Sequence, residues 1–147
     1  MKILKATRIE RCIGCHVCSL SCARLVHGLL SWQVSGIRIK SSGGISTGFE
    51  ATYCLACKEP ICARSCPTGA ISIRKAGGVR IRKDLCIRCS SCIEACPVNA
   101  ITKTDHGFPV VCIHCGLCTN FCPHGCLEMI EAVSSQDVHD QGGQTGE

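Results

Sequence analysis

The sequence predicts an α+β protein built from short strands, short helices and cysteine-rich loops. Two observations support this fold class: a cysteine pattern that occurs four times, and segments in which apolar and charged residues alternate. Alternation with a period of two residues indicates a strand with one solvated face. With 147 residues, the chain has the size of one domain or of two small fused modules.

Sixteen of the seventeen cysteines form four groups of four. The first, third and fourth groups have the spacing CxxCxxCxxxC, and the second has CxxCxxxxCxxxC with Pro60 in its longer gap. The groups are Cys12, Cys15, Cys18 and Cys22; Cys54, Cys57, Cys62 and Cys66; Cys86, Cys89, Cys92 and Cys96; and Cys112, Cys115, Cys118 and Cys122. We interpret the remaining cysteine, Cys126, as a small buried residue that is not a ligand, and the alternative is that it substitutes for one of the ligands.

The segments between the groups predict the strands and helices. Residues 66–71 (CPTGAI) are echoed at residues 96–101 (CPVNAI), which indicates an internal duplication. Alternation at residues 71–74 and 79–82 around Gly77-Gly78 predicts a β-hairpin. Weaker strand patterns occur at residues 37–40, 101–103 and 110–111, and residues 17–26 predict a helix.

The cysteine spacing is typical of [4Fe–4S] cluster binding. One CxxCxxC loop provides three thiolates, and in C-x2-C-x2-C-x3-C-P runs the fourth cysteine binds the other cluster of a pair. Pro67, Pro97 and Pro123 follow the fourth cysteine of three groups, whereas Ala23 follows Cys22 in the first group. The sequence therefore predicts four [4Fe–4S] clusters bound by the sixteen grouped cysteines.

Two other uses of cysteine were weighed against iron. Isolated CxxC pairs are common in structural zinc sites, and a cysteine-rich secreted chain is usually crosslinked by disulfides. Four complete tetrads with three prolines favour iron over zinc. The N-terminal residues show no export signal and no apolar run approaches about 18 residues, so we expect a cytoplasmic protein without a membrane span.

The charge does not indicate a nucleic-acid partner. The formal charge is +5, but each cluster with its four thiolates adds about −2, which lowers the total to about −3. A group of basic residues either forms a docking face for an acidic partner or is ordinary solvated surface. These residues are Lys75, Arg80, Arg82, Lys83 and Arg88.

Three histidines lie inside or beside the cysteine loops: His16, His114 and His124. Each could donate a hydrogen bond to sulfur and raise a local reduction potential. We take the simpler interpretation, a partly exposed loop residue, as the default for all three.

The four-tetrad layout, with residues 54–62 (CLACKEPIC) as a widened second group, resembles the four-cluster ferredoxin-type subunits of molybdenum and tungsten oxidoreductases over residues 8 to about 128. The compact fourth group is most similar to that of the small iron–sulfur subunit of tungsten-containing aldehyde oxidoreductases. The resemblance implies two fused bacterial-ferredoxin-like modules with short β-hairpins, short helices and cluster-binding loops.

The predicted domain boundaries follow from this layout. We expect one four-cluster domain over residues 1–133, with a central module at about 53–101 and an outer module at about 1–27 plus 102–133. Residues 28–52 are expected to be a linking insertion, either a partner contact or a surface excursion in which Trp32 fills a local gap. Residues 134–147 lack apolar periodicity and predict a disordered tail.

The pairing of the groups is only partly determined by the sequence. The predicted hairpin and an offset of 30 to 32 residues support pairing of the second group with the third, but the third and fourth groups are also close together. The resemblance implies that the first group pairs with the fourth. The implied ligand sets are Cys12, Cys15, Cys18 and Cys122; Cys112, Cys115, Cys118 and Cys22; Cys54, Cys57, Cys62 and Cys96; and Cys86, Cys89, Cys92 and Cys66.

The resemblance also implies a non-catalytic electron-transfer subunit of a hetero-oligomer in anaerobic metabolism. Its partners would be a catalytic subunit with a tungsten or molybdenum pterin site, as in aldehyde oxidoreductase, and a flavin subunit, a ferredoxin or another copy. The alternatives are a polyferredoxin subunit of a hydrogenase or formate dehydrogenase, a radical-generating iron–sulfur enzyme, and a zinc-binding interaction protein.

Overall fold

The computed structural model describes residues 2–43 and 48–132. The four helices are α1 (Val17–Val26), α2 (Ile61–Arg64), α3 (Ser91–Ala95) and α4 (Leu117–Phe121), and a short 3₁₀ turn spans Ile9–Arg11. The eight strands are β1 (Lys2–Lys5), β2 (Ile37–Ser41), β3 (Phe49–Tyr53), β4 (Ile71–Ile73), β5 (Val79–Ile81), β6 (Thr102–Lys103), β7 (Pro109–Val110) and β8 (Glu128–Glu131). The predicted α+β class is therefore confirmed, while the predicted tail at 134–147 lies outside the described residues.

The strands form four separate antiparallel pairs. Three are hairpins between neighbouring strands: β2–β3, β4–β5 and β6–β7. The fourth pair, β1–β8, joins the two ends of the described chain, with Leu4 opposite Met129. The hairpin predicted around Gly77-Gly78 is confirmed as β4–β5, but β1 and β8 were not predicted because neither segment alternates clearly.

Proline explains why three of the helices are short. A residue before proline is disfavoured in the α region, and proline itself cannot donate a helical hydrogen bond. Cys96 and Cys122, which precede Pro97 and Pro123, are extended with ψ of 114° and 111°, and α3 and α4 end there. In the first group Ala23 replaces the proline, so α1 continues to Val26, as the sequence predicted.

The hydrophobic core consists largely of aliphatic side chains and cysteines. Tyr53 is the one aromatic residue in it, and its hydroxyl accepts a hydrogen bond of 3.0 Å from the Ala6 amide. Helix α1 packs against α4, and α2 packs against α3. No helix within the described ranges is long and apolar enough to cross a membrane.

The segment expected to link the two modules is not simply a surface excursion. Its strand β2 places Ile37 and Ile39 in the core, at 0% and 8% exposure. Trp32 is 52% exposed and stacks on His16 with ring centroids 5.7 Å apart, so it does not fill an interior gap. The alternation of Ile37 and Ile39 places these side chains on one face of the strand, which explains their burial.

Candidate metal centres

Four cavities in the structure are each lined by four grouped cysteines, with free volumes of about 310 to 390 Å³, part of which is open to solvent. We number them I to IV. Cavity I is lined by Cys12, Cys15, Cys18 and Cys122; cavity II by Cys112, Cys115, Cys118 and Cys22; cavity III by Cys54, Cys57, Cys62 and Cys96; and cavity IV by Cys86, Cys89, Cys92 and Cys66. In each cavity three cysteines come from one sequence group and the fourth comes from another. The cavities thus contain the same sets that the resemblance implied, and cluster ligation by each set stays a prediction.

Each helix, together with the residues that directly follow it, contributes cysteines to two neighbouring cavities. Helix α1 contains Cys18 of cavity I and Cys22 of cavity II, four residues apart, which is about 6 Å along a helix. Helix α4 and its C-cap contribute to the same two cavities with Cys118 and Cys122. Helix α3 and its C-cap contribute Cys92 to cavity IV and Cys96 to cavity III, while α2 contains Cys62 of cavity III and is followed two residues after its end by Cys66 of cavity IV. The four cavities therefore form two pairs, I–II and III–IV.

The two pairs meet at cavities II and III. The charge of the Cys54 thiolate in cavity III contributes to the raised pKa of Cys112 in cavity II, after the larger effect of burial. Val111, next to Cys112 in the chain, lines cavity III. The cavities are thus connected in the order I, II, III, IV.

Backbone amides donate hydrogen bonds to several of the cysteine sulfurs. The amide four residues after Cys66, Cys96 and Cys122 donates to the respective Sγ at 3.2, 3.3 and 3.3 Å. The amides two residues after Cys12 and Cys112 donate to those Sγ atoms at 3.4 Å each. Such donors stabilise negative charge on sulfur, so these loops suit metal-bound thiolates.

The repeated loop conformation explains these amide directions. The residue two positions after the first cysteine of every group has a positive φ, and these residues are Gly14, Ala56, Arg88 and His114. The residue three positions after Cys66, Cys96 and Cys122 does too, and these are Gly69, Asn99 and Gly125. Left-handed backbone is uncommon for residues other than glycine, so its recurrence shows that each loop is bent in the same way.

Burial makes several of the thiols poor acids in the absence of metal. Desolvation, with smaller contributions from neighbouring thiolate charges, raises the pKa of Cys18 and Cys62 to about 11 and of Cys118 to about 12. For Cys66, hydrogen bonds from Thr68, Ile71 and Ala70 outweigh desolvation and lower the pKa. Because metal binding requires thiolates, we expect binding to release protons and to be coupled to folding.

The arrangement suits a multi-atom cluster better than a single ion. A zinc ion holds its sulfur ligands at about 2.3 Å, which brings four thiolates close together. Over residues 2–43 and 48–132, no three His, Cys, Asp or Glu side chains are placed to hold one metal ion. The walls of the cavities are otherwise mostly apolar, as for Val79, Ala100 and Ile101 in cavity III. The residues therefore fit [4Fe–4S] clusters.

Cys126 lines cavity I beside the four grouped cysteines. It lies four residues after Cys122, the position that Ala70 and Ala100 occupy after Cys66 and Cys96, and all three amides donate to the preceding cysteine sulfur. Its exposure is 2%, and desolvation together with the hydrogen bond and charge of Cys122 raises its pKa to about 12. The predicted burial of Cys126 is confirmed, and its assignment as a residue that is not a ligand stays a prediction.

The three histidines have different surroundings. His124 is exposed and His16 is half-buried, in keeping with ordinary loop residues. His114 is 6% exposed, so the default interpretation is wrong for this residue. Its Nδ1 accepts a hydrogen bond of 3.0 Å from the Leu4 amide, and burial followed by the charge of Arg74 lowers its pKa to about 4. The unpredicted strand β1 provides that amide, which is why the sequence did not reveal the burial.

Strand β2 lines two of the four cavities and lies close to a third, and the sequence did not predict this role. Ile39 lines cavity I and Ile37 lines cavity II. A Cβ on the preceding Gly36 would lie 2.8 Å from Cys112 Cα, so only glycine permits this close packing. Arg38 points to the other side, where its guanidinium donates to the Asn99 carbonyl near cavity III. This contact could not be predicted, because a single arginine in a short alternating strand is also typical of a solvated position.

The predicted basic face is exposed throughout. Arg82 forms an ion pair of 2.9 Å with Asp84, and the side chains of Lys83 and Arg88 lie over the Phe108 ring at 5.8 and 5.3 Å from its centroid. Exposed pairs of this kind contribute little stability. These contacts are therefore the ones expected of an ordinary solvated surface. A docking role for this face stays a prediction.

Three regions of the chain match iron–sulfur domain families. Residues 11–70 match a 4Fe-4S dicluster domain, and residues 79–102 and 110–130 each match a 4Fe-4S binding domain. In the structure, the cysteines of residues 11–70 are distributed over all four cavities. The matches therefore identify the type of domain, and the cavities show which cysteines lie together.

The chain is also similar to proteins described as ferredoxin-like. It is 36% identical over 105 residues to the uncharacterized ferredoxin-like protein YdhY of Escherichia coli K12, covering 62% of this chain and 50% of the relative. It is 31% identical over 90 residues to the polyferredoxin-like subunit of the aliphatic sulfonate oxidoreductase of Pyrococcus furiosus (60% and 50% covered). It is 35% identical over 98 residues to the electron transport protein HydN of E. coli K12 (63% and 54% covered).

The chain spans about half the length of these relatives. Three observations indicate iron–sulfur clusters: the similarity to these relatives, the three domain matches and the four cysteine-lined cavities. Three parts of the chain match 4Fe-4S domains, and its cofactors are multiple [4Fe–4S] clusters.

Proposed function

We propose that this chain is a non-catalytic electron-transfer subunit that relays electrons through four [4Fe–4S] clusters, one in each of cavities I to IV. The observation that supports this most strongly is the connected order of the cavities. Each pair shares two helices, and the pairs meet at Cys112 and Cys54. A store of electrons needs no particular order, whereas a relay needs each station next to the following one.

A [4Fe–4S] cluster supplies reversible one-electron chemistry when it is bound. The protein contributes the thiolates, the amide donors on sulfur and an apolar surrounding, which together set the reduction potential. The apolar walls also limit water at the cavities, and electron transfer between neighbouring sites requires no bond to form or break. The residues of the cavities are therefore suited to bind a cluster that holds one electron and to set its reduction potential.

Every cavity has an exposed cysteine and an exposed apolar side chain in its lining, including the two cavities at the ends of the row. Cys15 and Ile13 lie at cavity I, and Cys89 and Ile87 lie at cavity IV, with both isoleucines about 60% exposed. An electron partner can approach a cluster closely at such positions. The two ends fit a relay between two different partners.

We infer that one partner is the catalytic subunit of a hetero-oligomeric oxidoreductase. The similarity to the polyferredoxin-like subunit of an aliphatic sulfonate oxidoreductase supports such a partner, and the similarity to the electron transport protein HydN supports the relay. The compact fourth cysteine group favours a tungsten or molybdenum pterin enzyme of the aldehyde oxidoreductase type. A flavin subunit, a ferredoxin or a second copy would then accept the electrons, in the cytoplasm.

Metal and sulfide analysis of anaerobically purified protein tests the cofactor part of this proposal. Four clusters correspond to about sixteen iron and sixteen inorganic sulfide atoms per chain. Zinc in place of iron, or iron without sulfide, would contradict the proposal.

Anaerobic purification from native cells tests the partner. We expect a pterin-containing catalytic subunit to co-purify, and tungsten in that subunit would support the aldehyde oxidoreductase type. The isolated catalytic subunit should still reduce an artificial dye, but it should need this chain to reduce the natural acceptor. Substrate oxidation by this chain alone would overturn the relay.

A further inference from the structure

Two polar side chains from outside the central module lie close to residues that form cavity III. Its four cysteines lie between residues 54 and 96. One of the two side chains is Arg38 of strand β2, and the other is His114 of the loop that begins at Cys112. Arg38 contacts Asn99 and His114 contacts Gly78, so both residues connect the rest of the chain to the central module.

Arg38 lies beside Cys96. Its guanidinium donates to the carbonyl of Asn99, three residues after that cysteine. Burial lowers the pKa of Arg38, and the Cys96 thiolate acts in the opposite direction, so the two charges are close. The Nε atom of Arg38 is buried and has no hydrogen-bond partner among the residues that the structure describes. A positive charge with an unused donor therefore lies next to one ligand of cavity III.

His114 approaches the cavity from the side of Gly78. Its Nδ1 accepts the Leu4 amide, so the neutral ring must have its proton on Nε2. That Nε2 is buried and lacks a hydrogen-bond partner in the described part of the chain. A Cβ at position 78 would be 3.1 Å from Nε2 and 3.9 Å from Cys54 Sγ, so the ring edge and the sulfur both lie next to this glycine.

We propose that Arg38 and His114 raise the reduction potential of the cluster in cavity III, so that this station receives the electron at the junction of the two pairs. Reduction adds one electron and therefore one negative charge. A fixed cation and N–H donors in an apolar surrounding favour the more negative state. Cavity III is the first station of the central pair, so its potential would set how readily charge crosses between the pairs. The inference rests on the proposed binding of a cluster at this cavity.

The test is a redox titration of the full chain, purified anaerobically and followed by electron paramagnetic resonance. Arg38→Gln removes the charge, and His114→Asn removes the Nε2 donor while keeping a residue that tolerates the left-handed φ of 53°. For Arg38→Gln we expect the equilibrium constant for reduction of one of the four clusters to fall about tenfold. This corresponds to a reduction potential lower by about 59 mV for one electron. For His114→Asn we expect a smaller shift of the same signal in the same direction.

Lys40→Gln is the matched control. It removes the same charge from the same strand, but Lys40 is exposed and lies two residues beyond Arg38. We expect its four potentials to match those of the unchanged protein. An equal shift in Lys40→Gln, or unchanged potentials in both test variants with full iron content, would overturn the inference.

Iron content separates this inference from the proposed function. If Arg38→Gln fails to retain its iron, Arg38→Lys and His114→Asn decide the matter. The lysine variant keeps the charge and should titrate like the unchanged protein, while an unshifted His114→Asn would overturn the inference. Absence of iron from the unchanged protein would instead contradict the proposed function.

Discussion

The central pair of cavities and the outer pair hold the same kind of cysteine set, but they are closed in different ways. Cavities III and IV are formed by residues close in sequence, joined by hairpin β4–β5, and proline follows Cys66 and Cys96. Cavities I and II combine segments that are far apart in the chain, with a sequence separation of 90 positions from Cys22 to Cys112.

The comparison shows how little extra free energy the distant closure requires. Each doubling of a loop costs about 0.6 kcal/mol, so closing 90 residues instead of the 20 between Cys66 and Cys86 costs only about 1.3 kcal/mol more. A few local contacts offset this extra free energy of loop closure. The β1–β8 pair, the longer helix α1 and the packing of β2 on cavities I and II are the elements of the outer pair that perform that role.

Removal of iron and sulfide should have the largest effect and should unfold both regions. Six grouped cysteines are among the most buried residues, and few aromatic side chains support the core, so the clusters replace ordinary packing. Far-ultraviolet circular dichroism and thermal melting of the chelated and intact protein would measure the loss. If the central region kept its structure without iron, hairpin β4–β5 and its neighbours would be self-sufficient.

Leu4→Asp should disable the outer pair and spare the central pair. Leu4 is 2% exposed in strand β1, and burying an unpaired carboxylate costs several kcal/mol. We expect iron to fall from about sixteen to about eight atoms per chain. Lys5→Gln is the control, because Lys5 is exposed on the same strand. Loss of all iron in Leu4→Asp would show that the central pair depends on the outer one.

Cys122→Ala and Cys126→Ala should differ although both residues line cavity I. Cys122 is a proposed ligand, so its replacement should cost about four iron atoms per chain. Cys126 occupies the position of Ala70 and Ala100, and its replacement by alanine should leave the iron content unchanged. Iron loss in Cys126→Ala would identify it as a ligand and overturn its assignment.

The smallest effect should come from exchanging the residue after the fourth cysteine. Ala23→Pro places proline inside α1 and should destabilise the protein by about 3 kcal/mol, because Ala23 is fully buried and the helix continues past it. Pro97→Ala should change stability by about 1 kcal/mol or less, since α3 already ends there. Melting temperatures under anaerobic conditions test the pair, and equal decreases would show that helix length is not what distinguishes the two regions.

Much of the fold and of the site could be predicted because both depend on local spacing. The helix at residues 17–26 and hairpin β4–β5 follow from residue pattern and turn residues, and the structure contains both. Strands β1 and β8 could not be predicted, since four-residue segments acquire strand geometry from their partner. The burial of His114 was missed for the same reason, because the Leu4 amide that fixes it lies 110 residues away.

The sequence by itself determined the chemistry, since sixteen cysteines at fixed spacing form thiolate loops whatever their neighbours are. Only the tertiary structure decided which distant loops share a cavity and which outside residues, such as Arg38 and His114, lie near cavity III. The physical reason is the sequence distance over which each feature is determined. Loop geometry depends on a few adjacent dihedral angles, whereas contacts between distant segments depend on how the whole chain packs.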